Sequence, residues 1–224
     1  MLQLILAAAF FVGLHFVISG SALRDTLVAK LGEMSFRGVF SLLSVLGLWW
    51  LVHAYRAAPY VETWGQLGGF KPIAALLMLP AFLLAVLGLT LRNPTVVGGE
   101  PLLSQPAQGV LRITRHPFLW GTALWAFAHL VANGDAAALV FFGSLLGLAL
   151  GGTLSIERKR LRTHREAWER FLLNTSNPPF LAILQGRNAL VLSEIGWKRP
   201  AVAVLLYLAM LHFHRPWIGV SPLF

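Results

Sequence analysis

Ala136-Ala137-Ala138-Leu139-Val140-Phe141-Phe142-Gly143-Ser144-Leu145-Leu146-Gly147-Leu148-Ala149-Leu150-Gly151-Gly152-Thr153-Leu154-Ser155-Ile156 runs for 21 residues without a charged side chain. A helix of that length is roughly 31 Å long, the thickness of a bilayer's hydrocarbon core. No water reaches that region to satisfy backbone groups, so the stretch has to pair its own N–H and C=O groups as a helix. Comparable runs extend from Leu2 to Ile18, Val39 to Tyr55 and Ile73 to Leu91. Phe118 to Val131 and Ala201 to about His212 are short for a full crossing, the last reaching further if Trp217 and Ile218 are immersed. The pattern predicts an all-α fold. One domain, residues 1–224, forms a polytopic membrane helix bundle of about six transmembrane helices.

Composition agrees. Apolar residues make up 57% of the chain and charged ones 12%, with a mean hydropathy of +0.69. A soluble domain carries about 25% charged residues, so this chain lacks the polar surface to cover itself in water. It has no cysteine, which excludes disulfides, thiolate metal sites and cysteine nucleophiles. The net charge of +9 does not point to nucleic acid, because the basic residues lie between apolar runs, where they report orientation and contact with anionic lipid. Ser19, Gly20 and Ser21 after the first run resemble a signal-cleavage site, but no Lys or Arg precedes the run. It is therefore expected to be a retained span.

Loop charge predicts the orientation. The first, third and fifth connections hold fifteen Lys and Arg, nine of them in the fifth. The other side has Arg56, Lys71 and Arg215. Basic loops stay cytoplasmic, so both termini are expected outside. Asn133-Gly134-Asp135 can only be a tight turn between antiparallel helices. Gly143, Gly147 and Gly151 form a small-residue stripe for close packing inside the bundle, with a homodimer interface as the alternative.

The same orientation sorts the histidines by depth. His15 and His116 fall toward the inner end. His53, His129, His212 and His214 fall toward the outer end, and His164 lies in the fifth loop. An ionisable group inside a span is a functional candidate, although an interfacial histidine is more often a hydrogen-bonded anchor. The most informative stretch is Arg112-Ile113-Thr114-Arg115-His116-Pro117. Proline suits the first helical position, which puts His116 near a helix cap. The free N–H groups there, with Arg115 and Arg112, would suit a carboxylate or phosphate. His116 adds a nitrogen able to ligate a metal or pass a proton. The plainer reading is two arginines obeying the positive-inside rule beside a cap. A basic amphipathic cytoplasmic helix from Glu157 to Leu173, between the fifth and sixth spans, is expected on the inner membrane surface with Trp168 and Phe171 facing down. Asn177-Pro178-Pro179 ends it, and Phe180 to Leu184 is expected to re-enter the interface.

Gly109-Val110-Leu111-Arg112-Ile113-Thr114-Arg115-His116-Pro117, followed by Gly121, Leu124-Trp125-Ala126 and Ala128-His129-Leu130, resembles the core motif of the NnrU family. Ser19 to Arg24 and Pro179 to Arg187 extend the resemblance over nearly the whole chain. That family includes the plant and algal 15-cis-zeta-carotene isomerases, and its name comes from bacterial nitrite and nitric oxide metabolism. With the orientation from loop charge, the resemblance implies a bacterial inner-membrane protein with both termini periplasmic. It implies haem b, and either a link to denitrification or a redox-type isomerase of an apolar polyene lipid. It makes His116 an axial ligand and His15 its partner, with His129 and His53 as the alternative pair, and gives haem propionates to Arg115 and Arg112. Two departures accompany it. The isomerases' first-helix histidine lies a few residues nearer the Ser-Gly pair than His15, and Thr114 stands where their motif has a cysteine.

Two further classes stay open. Arg-His-Pro before a helix, with Glu157, Trp168, Phe171 and Pro178, is also similar to membrane methyltransferases of the isoprenylcysteine and phospholipid type. These hold S-adenosylmethionine in this region. A non-catalytic haem or nitric oxide sensor, or an assembly factor, is the third class.

Overall fold

The computed structural model describes residues 1–96 and 98–223. Every regular element among them is helical: α1 (Leu2–Gly13), α2 (Leu23–Leu31), α3 (Glu33–Arg56), α4 (Lys71–Thr90), α5 (Pro117–Asn133), α6 (Ala136–Thr163), α7 (Arg165–Leu173), α8 (Leu181–Leu184), α9 (Leu192–Ile195) and α10 (Lys198–Ile218). A π-helical stretch, Leu14–Ser19, extends α1. Five segments are long and apolar enough to cross a bilayer: Leu2–Ser19, Glu33–Arg56, Gly68–Thr90, Ala136–Thr163 and Lys198–Ile218. The last apolar run thus belongs to a full-length helix. α5, with 17 residues, is roughly 25 Å long and falls just short.

Short-range chemistry places the helix ends. Pro117 opens α5 at its first position, with His116 as the cap. Asp135 caps α6 by accepting from the Ala138 N–H at 2.9 Å. Between them Gly134 adopts φ +59°, and its carbonyl accepts from the Thr63 and Gly65 N–H groups, both at 3.0 Å. The α3–α4 connection therefore sits on the α5–α6 turn. Trp64 Nε1 reinforces this by donating to the Val131 carbonyl at 3.0 Å.

These contacts sort the loops into two ends. The turn end holds the α3–α4 connection and the α5–α6 turn. The α4–α5 connection and the far end of α6 meet at the other, basic end, through Arg160–Glu100 and Arg115–Glu157. Arg162–Asp25 ties α2 to that end as well. Although short, α5 joins the two ends. His214 on α10 lies beside His129, and Met1 packs on the cluster containing Ala54 and Ala137. Both termini therefore share the turn end.

The main core draws Leu4, Ala7 and Phe11 from α1, Leu51 from α3, Ala126 from α5 and Phe141, Phe142 and Leu145 from α6. α4 and α5 approach closely because Gly88 faces Phe118 and Gly121 faces Ala81 and Ala85. A Cβ at Gly121 would lie 2.7 Å from the Ala81 carbonyl oxygen. The glycine stripe on α6 is divided: Gly143 faces Leu130, Gly151 is filled by Phe16, and Gly147 is open.

The basic helix differs from its expected course. α6 continues through Glu157 to Thr163, and only Arg165–Leu173 forms the separate α7. Trp168 and Phe171 do not face the membrane surface. They are buried with Leu103, Ala107 and Leu111 of the α4–α5 connection. That connection supplies an apolar cover, so an amphipathic pattern that would suit lipid is satisfied by protein. Phe180 and Leu184 do remain exposed beside the short α8.

Candidate functional site at the start of α5

Residues 113–116 are held by the segment that follows α7. The Arg115 N–H donates to the Ser176 carbonyl at 2.9 Å, and the Phe180 N–H donates to the Ile113 carbonyl at 2.8 Å. Thr114 Oγ1 donates to the Asn177 carbonyl at 2.6 Å and accepts from the His116 N–H at 3.2 Å. Asn177 clamps α5 to α6: its Oδ1 accepts from Trp120 Nε1 at 3.1 Å and its Nδ2 donates to Thr153 Oγ1 at 3.0 Å. From the other side, Thr95 Oγ1 donates to the Arg115 carbonyl at 3.2 Å. The backbone before Pro117 is thus fixed from two sides, by the segment after α7 and by Thr95, which is what a preorganised site requires.

At its centre is Glu157. Its Oε1 accepts from Arg115 Nη2 at 2.7 Å, Arg115 Nε at 3.1 Å and His116 Nε2 at 3.2 Å. Arg115 Nη1 adds a 3.4 Å bond to Thr175 Oγ1, and its guanidinium lies 5.7 Å from the Trp168 ring centre. The His116 side chain is fully enclosed, and burial holds its imidazole below the usual histidine value against the pull of Glu157. A neutral ring beside a carboxylate carries its proton on Nε2. The lone pair is then on Nδ1, a buried atom without a hydrogen-bond partner. One ring nitrogen oriented by a carboxylate and the other open is the usual arrangement of a metal-ligating histidine.

The other expected site residues have different surroundings. Arg112 forms a fork with Glu194, Nε to Oε2 and Nη2 to Oε1 both at 2.7 Å, and its Nη1 reaches Asn188 Oδ1 at 2.6 Å. This pair pulls the Glu194 carboxyl down to about 2, helped by the Gly109 N–H. Arg112 thereby locks the α9 segment onto residues 109–112, and its guanidinium is occupied. His15 lies in the π-helical stretch, with Nδ1 bonded to the Phe11 carbonyl at 2.8 Å and its ring against Phe11 and Phe40. Phe16 of the stretch packs on Gly151 of α6, and Gly20 just after it lies by Ser155, close to Glu157, so His15 and His116 share the basic end. They share no hydrogen bond, ion pair or ring contact among the described residues. His129 lies at the opposite end, near His214 rather than His53, which stacks on Trp49 in an exposed position. Glu157, which the methyltransferase resemblance would leave open to S-adenosylmethionine, is engaged by Arg115 and His116.

The family model described as NnrU protein matches residues 3–222. The chain belongs to the NnrU family. This NnrU protein is 29% identical over 196 residues to the chloroplastic 15-cis-zeta-carotene isomerase of Arabidopsis thaliana, covering 85% of the chain and 52% of that protein. It is 31% identical over 124 residues to the isomerase of the same name from Zea mays, covering 54% of the chain and 34% of that protein. The chain thus spans about half or less of the length of these relatives. No solved structure matches it.

Several residues of the site have no signature of their own in the NnrU sequence. Asn177 reads only as part of a helix stop, and nothing in the sequence singles out Thr175, Ser176, Asn93 or Thr95. Arg187, inside the matched Pro179–Arg187 segment, has an architectural role: its Nη1 donates to the carbonyls of Leu172, Leu173 and Thr175, closing the end of α7.

Proposed function

We propose that this chain is a membrane-embedded cis–trans isomerase of a conjugated polyene lipid, with haem b held at His116. The observation that carries the reading is His116 itself, buried, oriented by Glu157 on one nitrogen and open on the other. The isomerases named above supply the reaction class. When bound, haem would supply a redox-active iron able to withdraw electron density from a conjugated double bond and weaken its resistance to rotation.

The chain's own residues do the rest. Glu157 fixes the His116 ring and its tautomer, and Arg115 holds the same carboxylate oxygen in place. Buried Trp168 lies against the Arg115 guanidinium. His15 is the candidate second donor, because its Nδ1 is bonded to backbone and its Nε2 is left open. Propionate contacts are not assigned to Arg115 and Arg112, whose guanidinium groups already hold Glu157 and Glu194. An apolar groove of about 530 Å³ between α1, α2 and α3, lined by Phe10, Leu14, Phe36 and Phe40, gives a polyene chain a path beside His15. In a bacterial inner membrane the basic end would face the cytoplasm and both termini the periplasm.

The test is a spectrum. Protein purified in detergent after expression with ample haem is expected to show a Soret band that weakens several-fold in His116→Ala. No band in the parent protein overturns the haem assignment. Incubation with a cis-polyene, read by chromatography of the isomers, tests the reaction separately; no conversion beyond that of His116→Ala overturns it.

A further inference from the structure

Where α4 ends and α10 begins, the basic end contains a cavity of about 370 Å³ whose lining includes Arg92, Gln105, Gln108, Glu194 and Arg199. Arg92 and Arg199 are exposed, and among the described residues neither side chain has a hydrogen bond, ion pair or ring contact. Glu194 does not neutralise them. Both of its oxygens are held by Arg112, and Oε2 also accepts from the Gly109 N–H. Two guanidinium groups therefore line one cavity without a counter-ion, while Gln105 and Gln108 add amide donors. An arginine fork matches the oxygens of a phosphate better than those of any neutral group.

The surroundings decide which phosphate. α4 and α10 run antiparallel and pack together, with the Phe82 and Tyr207 rings 6.1 Å apart and Ala203 fully buried. Arg92 follows the apolar segment Gly68–Thr90, and Arg199 stands at the start of the segment Lys198–Ile218. Both arginines thus lie where the bilayer's hydrocarbon gives way to its headgroups. One helical turn further into each span, Leu89 is 69% exposed and Val202 is 47% exposed. Phosphate at the arginines and hydrocarbon at Leu89 and Val202 are the two halves of a phospholipid, and basic pockets between membrane helices suit such headgroups. A free phosphate would use only the first half. We propose that this cavity binds the phosphodiester headgroup of one anionic phospholipid, with the acyl chains lying along Leu89 and Val202. The proposal requires no haem.

Native mass spectrometry of the full chain in neutral detergent, titrated with phosphatidylglycerol, tests it. One phosphatidylglycerol per chain is expected to be retained in preference to phosphatidylcholine. Arg92→Gln and Arg199→Gln should each weaken retention about fivefold, the worth of one basic residue at a lipid surface. Both side chains are exposed and unpaired, so these variants keep the fold. Arg158→Gln, which removes an exposed arginine from α6 outside the cavity, should leave retention unchanged. Equal loss in Arg158→Gln would show general attraction to basic charge and overturn the assignment. So would equal retention of phosphatidylcholine, or full retention in both cavity variants. Inorganic phosphate displacing the lipid at equal concentration would make the site one for a soluble anion. A Soret band lost in Arg92→Gln or Arg199→Gln would give the cavity to haem propionates instead.

Discussion

The Arg115–Glu157–His116 arrangement has one carboxylate serving two buried donors. Removing that charge leaves the nearly enclosed Arg115 guanidinium without a counter-ion, a change that costs about 3–5 kcal/mol in a fully buried pair. Glu157 keeps about a fifth of its side chain exposed, so we expect Glu157→Gln to cost roughly 2–3 kcal/mol. The check is the unfolding midpoint of the detergent-solubilised variant, and an unchanged midpoint would mean that Glu157 does not hold the site. The Arg112–Glu194 fork gives a pH dependence. Its folded-state pKa near 2 lies below the ordinary carboxyl value, so its stabilisation is complete above that ordinary value. It is lost as pH falls from the ordinary carboxyl range toward 2. Between pH 5 and 3 the parent protein should therefore lose more stability than Glu194→Gln. Parallel curves for the two would sink this assignment.

At the level of elements, the α4–α5 contact positions the site, because the start of α5 carries His116. Gly88 and Gly121 are where the two helices touch. A side chain at Gly121 has to enter the α4 backbone, and overpacking of that kind costs typically 1–3 kcal/mol. Gly121→Val should therefore lower the unfolding midpoint and, by tilting α5, the Soret amplitude of the loaded protein. The same substitution at Gly147, which faces open space, should change neither. α7 illustrates how an amphipathic pattern is used. Its charged face is exposed, while Trp168 and Phe171 close the site against Leu103 and Leu111 instead of lying on lipid.

For the whole molecule, the two ends divide the chemistry. The basic end holds His116 and Glu157, and the turn end holds both termini and the His129–His214 pair. The absence of native cysteine makes the proposed orientation directly measurable. Gln66→Cys, in the α3–α4 connection, should react with a membrane-impermeant maleimide in intact cells. Ser104→Cys, in the α4–α5 connection, should react only after permeabilisation. The opposite pattern would invert the assignment.

The sequence by itself determined the membrane class, the long apolar helices and the start of α5. Long uncharged runs have no alternative to helix in hydrocarbon, and Pro117 and Gly134 act through their immediate neighbours. It also singled out His116 and Arg115 and paired Glu157 with that region. The pairing of His129 with His214 rather than His53, the commitment of Arg112 to Glu194, and the burial of Trp168 were decided only by tertiary structure. Each depends on which helix faces or loops meet across tens of residues. Apolar helices in lipid gain little from one partner over another on hydrophobicity alone, so close packing at positions such as Gly88 and Gly121 and buried polar bonds decide those pairings. His116 is legible as a helix cap from six residues of sequence, but its open Nδ1 exists only because Glu157, on another helix, occupies the other nitrogen.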